Sequence, residues 1–376
     1  MTSFPAGDQI CRIKDPLTWT EDKKQLMVDA CREFAVFHYE NCADIKYLYD
    51  RHGFDPRSIQ KESDLERIPP LGVTAMKYYL LNSLPQSESV LTLTSSGTSG
   101  QKTQIWFDQG SLDRVQAMMD VLWEQAGLTS DIPTNYVAFI YDPEQANDLG
   151  IAFTAKNEMR FTPVNESFFT VKKDENGEWE FLLEETLALL QRFEKDGKPV
   201  RLLGIPAFLF ELVHEMENRG IQLKLPEHSA ALIGGGWKAA EDKKVSKAEF
   251  RDRLHRVMGI SKDRMIDLYG MAEHSAPYDS CRFHRLHVPV FNRILVRDPV
   301  SMKVLPDGEV GLIELITPYN AIIANLAILS TDLGYIEKEP CPCGSNSPTF
   351  GLIGRGGIKK HKGCAITAGE IVRRGK

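Results

Sequence analysis

Thr94-Ser95-Ser96-Gly97-Thr98-Ser99-Gly100-Gln101-Lys102-Thr103 combines hydroxylated side chains with two glycines and a lysine. Such a loop suits a polyphosphate. Glycines let successive backbone N–H groups turn toward one anion, the hydroxyls of Ser95, Ser96, Thr98 and Ser99 can donate as well, and Lys102 supplies a point charge. The flanking runs Val90-Leu91-Thr92-Leu93 and Gln104-Ile105-Trp106-Phe107 read as strands, so the setting is strand, loop, strand. A Walker A loop places glycine directly before its lysine, whereas Gln101 stands there. Taken alone, the stretch is either a different phosphate loop or a Ser/Gly linker.

Outward from this loop the chain alternates strands with amphipathic stretches. Val137-Ala138-Phe139-Ile140-Tyr141, Val200-Arg201-Leu202-Leu203-Gly204 and Ala230-Ala231-Leu232-Ile233-Gly234 read as strands. Ala207 to Arg219 places Leu209, Leu212, Val213 and Met216 on one helical face, with Gly220 as a stop. This is α/β order. Upstream, Trp19 to Gly53 has helical spacing and reads as part of a packed N-terminal arm; downstream of Cys281 the texture becomes β-rich. There Arg293-Ile294-Leu295-Val296-Arg297 and Gly311-Leu312-Ile313-Glu314-Leu315-Ile316 flank the turn Pro306-Asp307-Gly308.

Composition sets the outer limits. The chain has 376 residues, enough for two to three domains and a large core, and a formal charge of −7 without a basic block argues against nucleic acid as the main partner. No basic-then-apolar leader opens the chain and no apolar run reaches the ~18 residues of a membrane helix, so a cytoplasmic protein is expected. Seven cysteines at irregular spacing fit a reducing compartment in which thiols bind metal or react.

Five segments in order resemble the adenylate-forming, acyl-activating superfamily over roughly residues 60–376. They are the loop above; Ile233-Gly234-Gly235-Gly236-Trp237-Lys238; Asp267-Leu268-Tyr269-Gly270-Met271-Ala272-Glu273; Ser330-Thr331-Asp332-Leu333-Gly334; and Gly354-Arg355 followed by Ile358-Lys359 and Gly363. The resemblance implies ATP and Mg²⁺ as cofactors. It implies that Ser95 to Gly100 and Lys102 hold the triphosphate, that Gly235 and Gly236 let backbone approach adenine, and that Tyr269 packs on that ring. Glu273 would hold Mg²⁺, and Asp332 with Arg355 would take the ribose. Two departures are visible: the glycine between Thr331 and Asp332 is missing, and no acidic pair follows Arg355.

Within the superfamily the chain is more similar to acyl-protein synthetases of the LuxE type. Ser95 to Gln104 with Leu112-Asp113-Arg114, Leu203 to Phe208, Gly234 to Lys238, and Lys362-Gly363-Cys364-Ala365 carry that likeness. It implies a ligase that adenylates a fatty acid, moves the acyl group to Cys364 and delivers it to an acyl-reductase-like partner, within a homo- or hetero-oligomer. The expected fold is the α/β N-terminal-type fold of adenylate-forming enzymes with a β-rich subdomain. A mobile C-terminal domain is expected to be largely absent, since the chain ends twelve residues after Cys364. The expected organisation is a helical arm over 1–85, an α/β core over 86–280, a β-rich subdomain over 281–353 and a hinge-like tail over 354–376. Lys359, Lys360, His361 and Lys362 precede Cys364, a positive field that lowers a thiol pKa and suits a nucleophile. A phenylacetate-type acyl-CoA ligase and a non-catalytic adenylate-binding scaffold are the alternatives.

Cys341-Pro342-Cys343-Gly344 presents two thiols to one ion, and Cys281 with His287 would complete a Cys₃His zinc site that pins the β-rich subdomain. His284 is the alternative fourth ligand. Unligated thiols in a turn are the other reading of this motif.

Overall fold

A computed structural model describes residues 3–94, 103–145, 156–235 and 245–356. The chain opens with helix α1 (Pro5–Cys11), whose first-turn proline forfeits no helical hydrogen bond. Ala6 and Gly7 donate their free N–H groups to the Glu33 carboxylate at 3.1 Å. Glu33 belongs to α2 (Glu21–Asn41), which Thr20 caps by accepting from the Lys23 N–H. The helical spacing over Trp19–Gly53 corresponds to two helices, because Cys42 is extended (φ −123°, ψ 111°) and separates α2 from α3 (Ala43–Arg51).

Strand β1 (Leu71–Gly72) and the hairpin β2 (Leu91–Thr94) with β3 (Gln104–Phe107) follow, then helix α4 (Gln109–Gln125). Arg114 of α4 grips the arm: its Nε donates to Asp8 at 2.8 Å, and its guanidinium lies 4.9 and 5.2 Å from the Phe4 and Phe34 rings. The contact joins charge pairing to a half-exposed carboxylate with cation–π attraction on a buried guanidinium.

The α/β layer contains β4 (Thr134–Tyr141), β5 (Val164–Lys173), β6 (Trp179–Phe181), α5 (Leu183–Asp196), β7 (Val200–Gly204), α6 (Pro206–Asn218), β8 (Ala230–Gly234), α7 (Lys247–Met258), β9 (Met265–Met271) and β10 (His274–Asp279). Its seven strands run in the order β10-β9-β8-β7-β4-β5-β6, parallel from β9 to β5 and antiparallel at both edges. All eight residues of β4 are buried, as expected for a central parallel strand covered on both faces.

The β-rich part contains β11 (Leu286–His287), β12 (Arg293–Arg297), β13 (Gly311–Ile316), β14 (Ala327–Ile336) and β15 (Thr349–Arg355), in the order β11-β15-β14-β13-β12 with β1 also on β14. The Leu333-Gly334 pair, which reads as a turn in the sequence, lies inside β14 at a register shift against β15. Glycine is needed there for a close approach, because a Cβ on Gly334 would collide with the Gly351 carbonyl. Among the described residues, no helix is long and apolar enough to cross a membrane.

His38 of α2 illustrates a buried polar group with a pH consequence. It is 1% exposed, its Nδ1 lies 2.7 Å from Ser83 Oγ, and burial pushes the imidazole down to about 3. Between that value and the ordinary 6.5, the unfolded chain takes up a proton that the folded chain refuses, so this group's contribution to stability is lost as pH falls. At pH 5 the loss amounts to about 2 kcal/mol. His38→Gln is therefore expected to destabilise the protein at pH 7.5, with a penalty smaller by about 2 kcal/mol at pH 5. Urea unfolding of both proteins at the two pH values measures this, and an unchanged penalty contradicts the buried neutral imidazole.

Candidate functional site

The parallel strands β8 and β9 pair Gly234 with Leu268, which sets the Gly234-Gly235 strand end beside Tyr269. Gly235 has φ +93°, a backbone that favours glycine, and a Cβ there would meet no described atom within 4 Å. Tyr269 donates its hydroxyl to Asp332 Oδ2 at 3.0 Å, and Arg355 Nε lies 3.4 Å from Asp332 Oδ1. The β14–β15 register makes Asp332 and Arg355 direct partners, so the sheet itself sets their pairing. Burial, and then the neighbouring Asp332 charge, hold the Tyr269 phenol well above its ordinary value. The phenol therefore stays neutral and serves as a donor. Its ring meets Phe350 edge-on at 5.7 Å, and Phe350 meets Tyr278 in the same way at 5.5 Å. Each Asp332 oxygen retains a lone pair for a further donor, and the Arg355 side chain is 48% exposed. Tyrosine, aspartate and arginine from two sheets thus form one polar cluster open to a ligand. Asp332 lies within β14.

Glu273 occupies the two-residue link between β9 and β10, where Met271 pairs with His274. It is 6% exposed, and no described residue hydrogen-bonds or ion-pairs with its carboxylate. Its main chain is held firmly: the Glu273 carbonyl accepts from Asn325 Nδ2 at 2.9 Å, and the Ser275 N–H donates to the Tyr319 hydroxyl at 3.0 Å. The next residue, His274, is fully buried, with Nε2 3.2 Å from Thr317 Oγ1 and 3.3 Å from the Tyr278 hydroxyl. Burial pushes this imidazole down to about 3, so it is neutral beneath the hairpin. An acidic side chain on so fixed a backbone suits a divalent cation, which takes oxygen ligands.

Ser95, Ser96, Gly97, Thr98, Ser99, Gly100, Lys102, Gly236 and Cys364 lie outside the described residues. The strands that bear the Ser/Gly/Lys loop are described. β2 and β3 pair from Leu91 with Phe107 to Thr94 with Gln104, so the loop connects two hydrogen-bonded strand ends.

The thiols of Cys281, Cys341 and Cys343 and a ring nitrogen of His287 all lie within 4.8 Å of one another. Cys281 Sγ is 3.5 Å from Cys341 Sγ, and Cys343 Sγ is 3.4 Å from His287 Nε2. A tetrahedral zinc site with bonds of about 2.3 Å to sulfur and about 2.0–2.1 Å to nitrogen has edges of roughly 3.5–3.8 Å, so these residues fit the ion. Backbone N–H groups of Phe283 and Ser345 point at Cys281 and Cys343 Sγ, as they would toward thiolates. Ser347 Oγ engages His287 Nδ1 at 2.9 Å and leaves Nε2 facing the thiols. Burial pushes the Cys341 thiol up to about 12.

The alternative ligand His284 is not among the four. It takes a left-handed φ of 61° in the turn closed by its N–H on the Cys281 carbonyl, and that turn returns His287 to the thiols on β11. Sequence reading missed Ser347, Asn325, Tyr319 and Phe350. The Ser-Asn-Ser run after the Cys-Pro-Cys-Gly motif was the one available signal, since Ser347 lies in it.

A family model described as acyl-protein synthetase, LuxE, matches residues 2–372. A long-chain-fatty-acid–luciferin-component ligase from Aliivibrio fischeri is 24% identical over 374 residues, covering 98% of this chain and 94% of that protein. Another with that name, from Vibrio harveyi, is 26% identical over 369 residues, covering 96% and 93%. Among solved structures, 2-hydroxyisobutyryl-CoA ligase in its postadenylation state with 2-HIB-AMP aligns with a TM-score of 0.68 at 15% identity, over 93% of this chain and 74% of that one. That likeness gives the fold, a mixed α/β architecture similar to adenylate-forming ligases. With the family match running from the N-terminal arm past Arg355, the chain belongs to the LuxE family of acyl-protein synthetases.

Proposed function

We propose that the chain is an ATP-dependent acyl-protein synthetase that activates a long-chain fatty acid and passes the acyl group to its own Cys364. The observation that carries this reading is the convergence of Tyr269, Asp332 and Arg355 at 3.0 and 3.4 Å in a chain of this family. Asp332 accepts from the ribose hydroxyls, Arg355 holds the Asp332 carboxylate in place, and Tyr269 packs on adenine above the Gly235 backbone. The Ser95–Gly100 and Lys102 loop neutralises the triphosphate. Glu273 would hold Mg²⁺, which when bound would supply charge neutralisation for the phosphates.

In the first step a carboxylate oxygen of the fatty acid attacks the α-phosphorus, forming acyl-AMP, and pyrophosphate leaves. In the second step the Cys364 thiolate attacks the acyl carbonyl, a thioester forms and AMP leaves. Lys359, Lys360 and Lys362 favour the thiolate electrostatically. A reductase-like partner then takes the acyl group, and the Cys281, His287, Cys341 and Cys343 cluster holds a structural zinc. A reading as a CoA ligase differs in one respect, the acceptor.

Intact-mass analysis after incubation with ATP, Mg²⁺ and tetradecanoic acid, without coenzyme A, tests the acceptor. A mass increase of one acyl group, released by neutral hydroxylamine, is expected. In Cys364→Ser, pyrophosphate exchange is expected to stay near the parental rate while the thioester disappears, because a serine hydroxyl has almost no anionic fraction at neutral pH. A normal thioester in that variant rejects Cys364 as acceptor, and turnover that needs added coenzyme A favours the CoA-ligase reading.

Lys102→Ala and Glu273→Gln are each expected to slow pyrophosphate exchange by about 10²–10³-fold, the usual loss for one electrostatic stabiliser. An unchanged exchange rate removes that residue from the proposed site. Elemental analysis of protein purified without chelators is expected to find about one zinc per chain, falling in Cys341→Ser. Absence of zinc from the parental protein contradicts the metal assignment.

A further inference from the structure

Residues 317–326, between β13 and β14, form no helix or extended strand, yet every one of them is buried. Irregular segments normally run over the surface, because buried backbone and polar side chains need partners. This segment finds its partners in the two parts of the molecule that bear the proposed phosphate chemistry. Asn325, 1% exposed, uses both hydrogens of one amide nitrogen: one goes to the Glu273 carbonyl at 2.9 Å, the other to the Tyr319 hydroxyl at 2.7 Å. Tyr319, fully buried, accepts in turn from the Ser275 N–H. The two residues thus fix the main chain at Glu273 and Ser275, on the β9–β10 hairpin.

Between Tyr319 and Asn325 the segment also reaches the strand that leads out of the Ser/Gly/Lys loop. Asn320 Nδ2 donates to the Trp106 carbonyl of β3 at 3.1 Å, while its Oδ1 accepts from the Ile322 and Ile323 N–H groups at 2.9 Å. The Ala321 N–H donates to Ser111 Oγ at 2.8 Å, and Arg114 Nη1 donates to the Tyr319 carbonyl at 3.0 Å, so α4 anchors the same stretch. Two hairpins distant in sequence therefore hang from one buried segment.

We infer that residues 317–326 are a brace that fixes the Glu273 main chain relative to β3, the strand leading out of the Ser/Gly/Lys loop, with Asn325 and Tyr319 as positioning residues for adenylation. The inference rests on the roles given above to Glu273 and to the Ser/Gly/Lys loop. Neither Asn325 nor Tyr319 touches a reacting atom; they fix the backbone from which Glu273 reaches the cation. Small misplacements of such a group are costly, a shift of about 1 Å being enough for a loss on the order of 10²-fold.

The test compares Asn325→Ala, Tyr319→Phe and Glu273→Gln in the full chain by pyrophosphate exchange with tetradecanoic acid across a Mg²⁺ titration. Thioester formation from supplied tetradecanoyl-AMP is measured alongside. Tyr319→Phe keeps the ring and removes only the hydroxyl, so it decides the matter if Asn325→Ala fails to fold. The expected result is a fall in kcat for exchange of about 10–100-fold with KM for ATP nearly unchanged, and a Mg²⁺ half-saturation raised about 5-fold or more. Transfer from tetradecanoyl-AMP is expected to stay at the parental rate, a split that general destabilisation would not produce. Parental exchange and Mg²⁺ dependence in Tyr319→Phe, with Glu273→Gln impaired, overturn the brace and leave the Glu273 reading standing. Parental behaviour of Glu273→Gln overturns that reading, and the brace with it.

Discussion

Asp332 is the junction on which the arrangement of the site depends. Its carboxylate receives the Tyr269 hydroxyl from the parallel sheet and faces Arg355 from its neighbour in the antiparallel sheet. A carboxylate between a neutral phenol and a guanidinium is satisfied by one uncharged and one charged donor. The pair with Arg355 is partly exposed, so its contribution to stability is small. Its value is geometric, because it presents one acceptor with spare lone pairs at the meeting of two sheets.

The cluster of Cys281, His287, Cys341 and Cys343 lies at the opposite end of the strand that carries Arg355. β15 starts beside the cluster, where Thr349 pairs with His287 and Phe350 with Leu286, and it ends at Arg355. The same corner grips the N-terminal arm. Ser345 Oγ donates to the Leu17 carbonyl at 2.6 Å, and Asn346 exchanges two hydrogen bonds of 2.8 Å with the Trp19 backbone. A zinc bound there would tie the arm, β11 and the root of β15 at one point, and Phe350 would carry that order to Tyr269 through its ring contact. The cluster is thus continuous in structure with the Tyr269, Asp332 and Arg355 group.

Much of this was legible in the sequence where short segments carry their own chemistry. The α/β order and the strands at Arg293–Arg297 and Gly311–Ile316 appear where periodicity puts them, while the Tyr269 and Asp332 segments, singled out by family resemblance, lie on β9 and β14. Other features depended on long-range geometry. Spacing favoured His287 and kept His284 as the alternative ligand, and the left-handed turn at His284 shows how the chain brings His287 to the thiols. Gly334 looks like a turn glycine until β15 is placed against it. Thr317 to Leu326 reads as an ordinary apolar loop with scattered polar residues, since the partners of Asn320 and Asn325 lie far away in sequence. Cys42 gave no local sign that it would divide the arm helix, being neither glycine nor proline.

The central claim is that the Asp332 cluster reads the ribose of ATP, and a binding comparison between ATP and 2′,3′-dideoxy-ATP tests it most directly. Calorimetry on the parental protein is expected to show the dideoxy analogue binding about 10–100-fold more weakly, the loss expected for hydrogen bonds to a charged acceptor. In Asp332→Ala that discrimination is expected to vanish, with ATP weakened toward the analogue. Equal affinity for the two nucleotides in the parental protein, or undiminished discrimination in Asp332→Ala, would contradict the account.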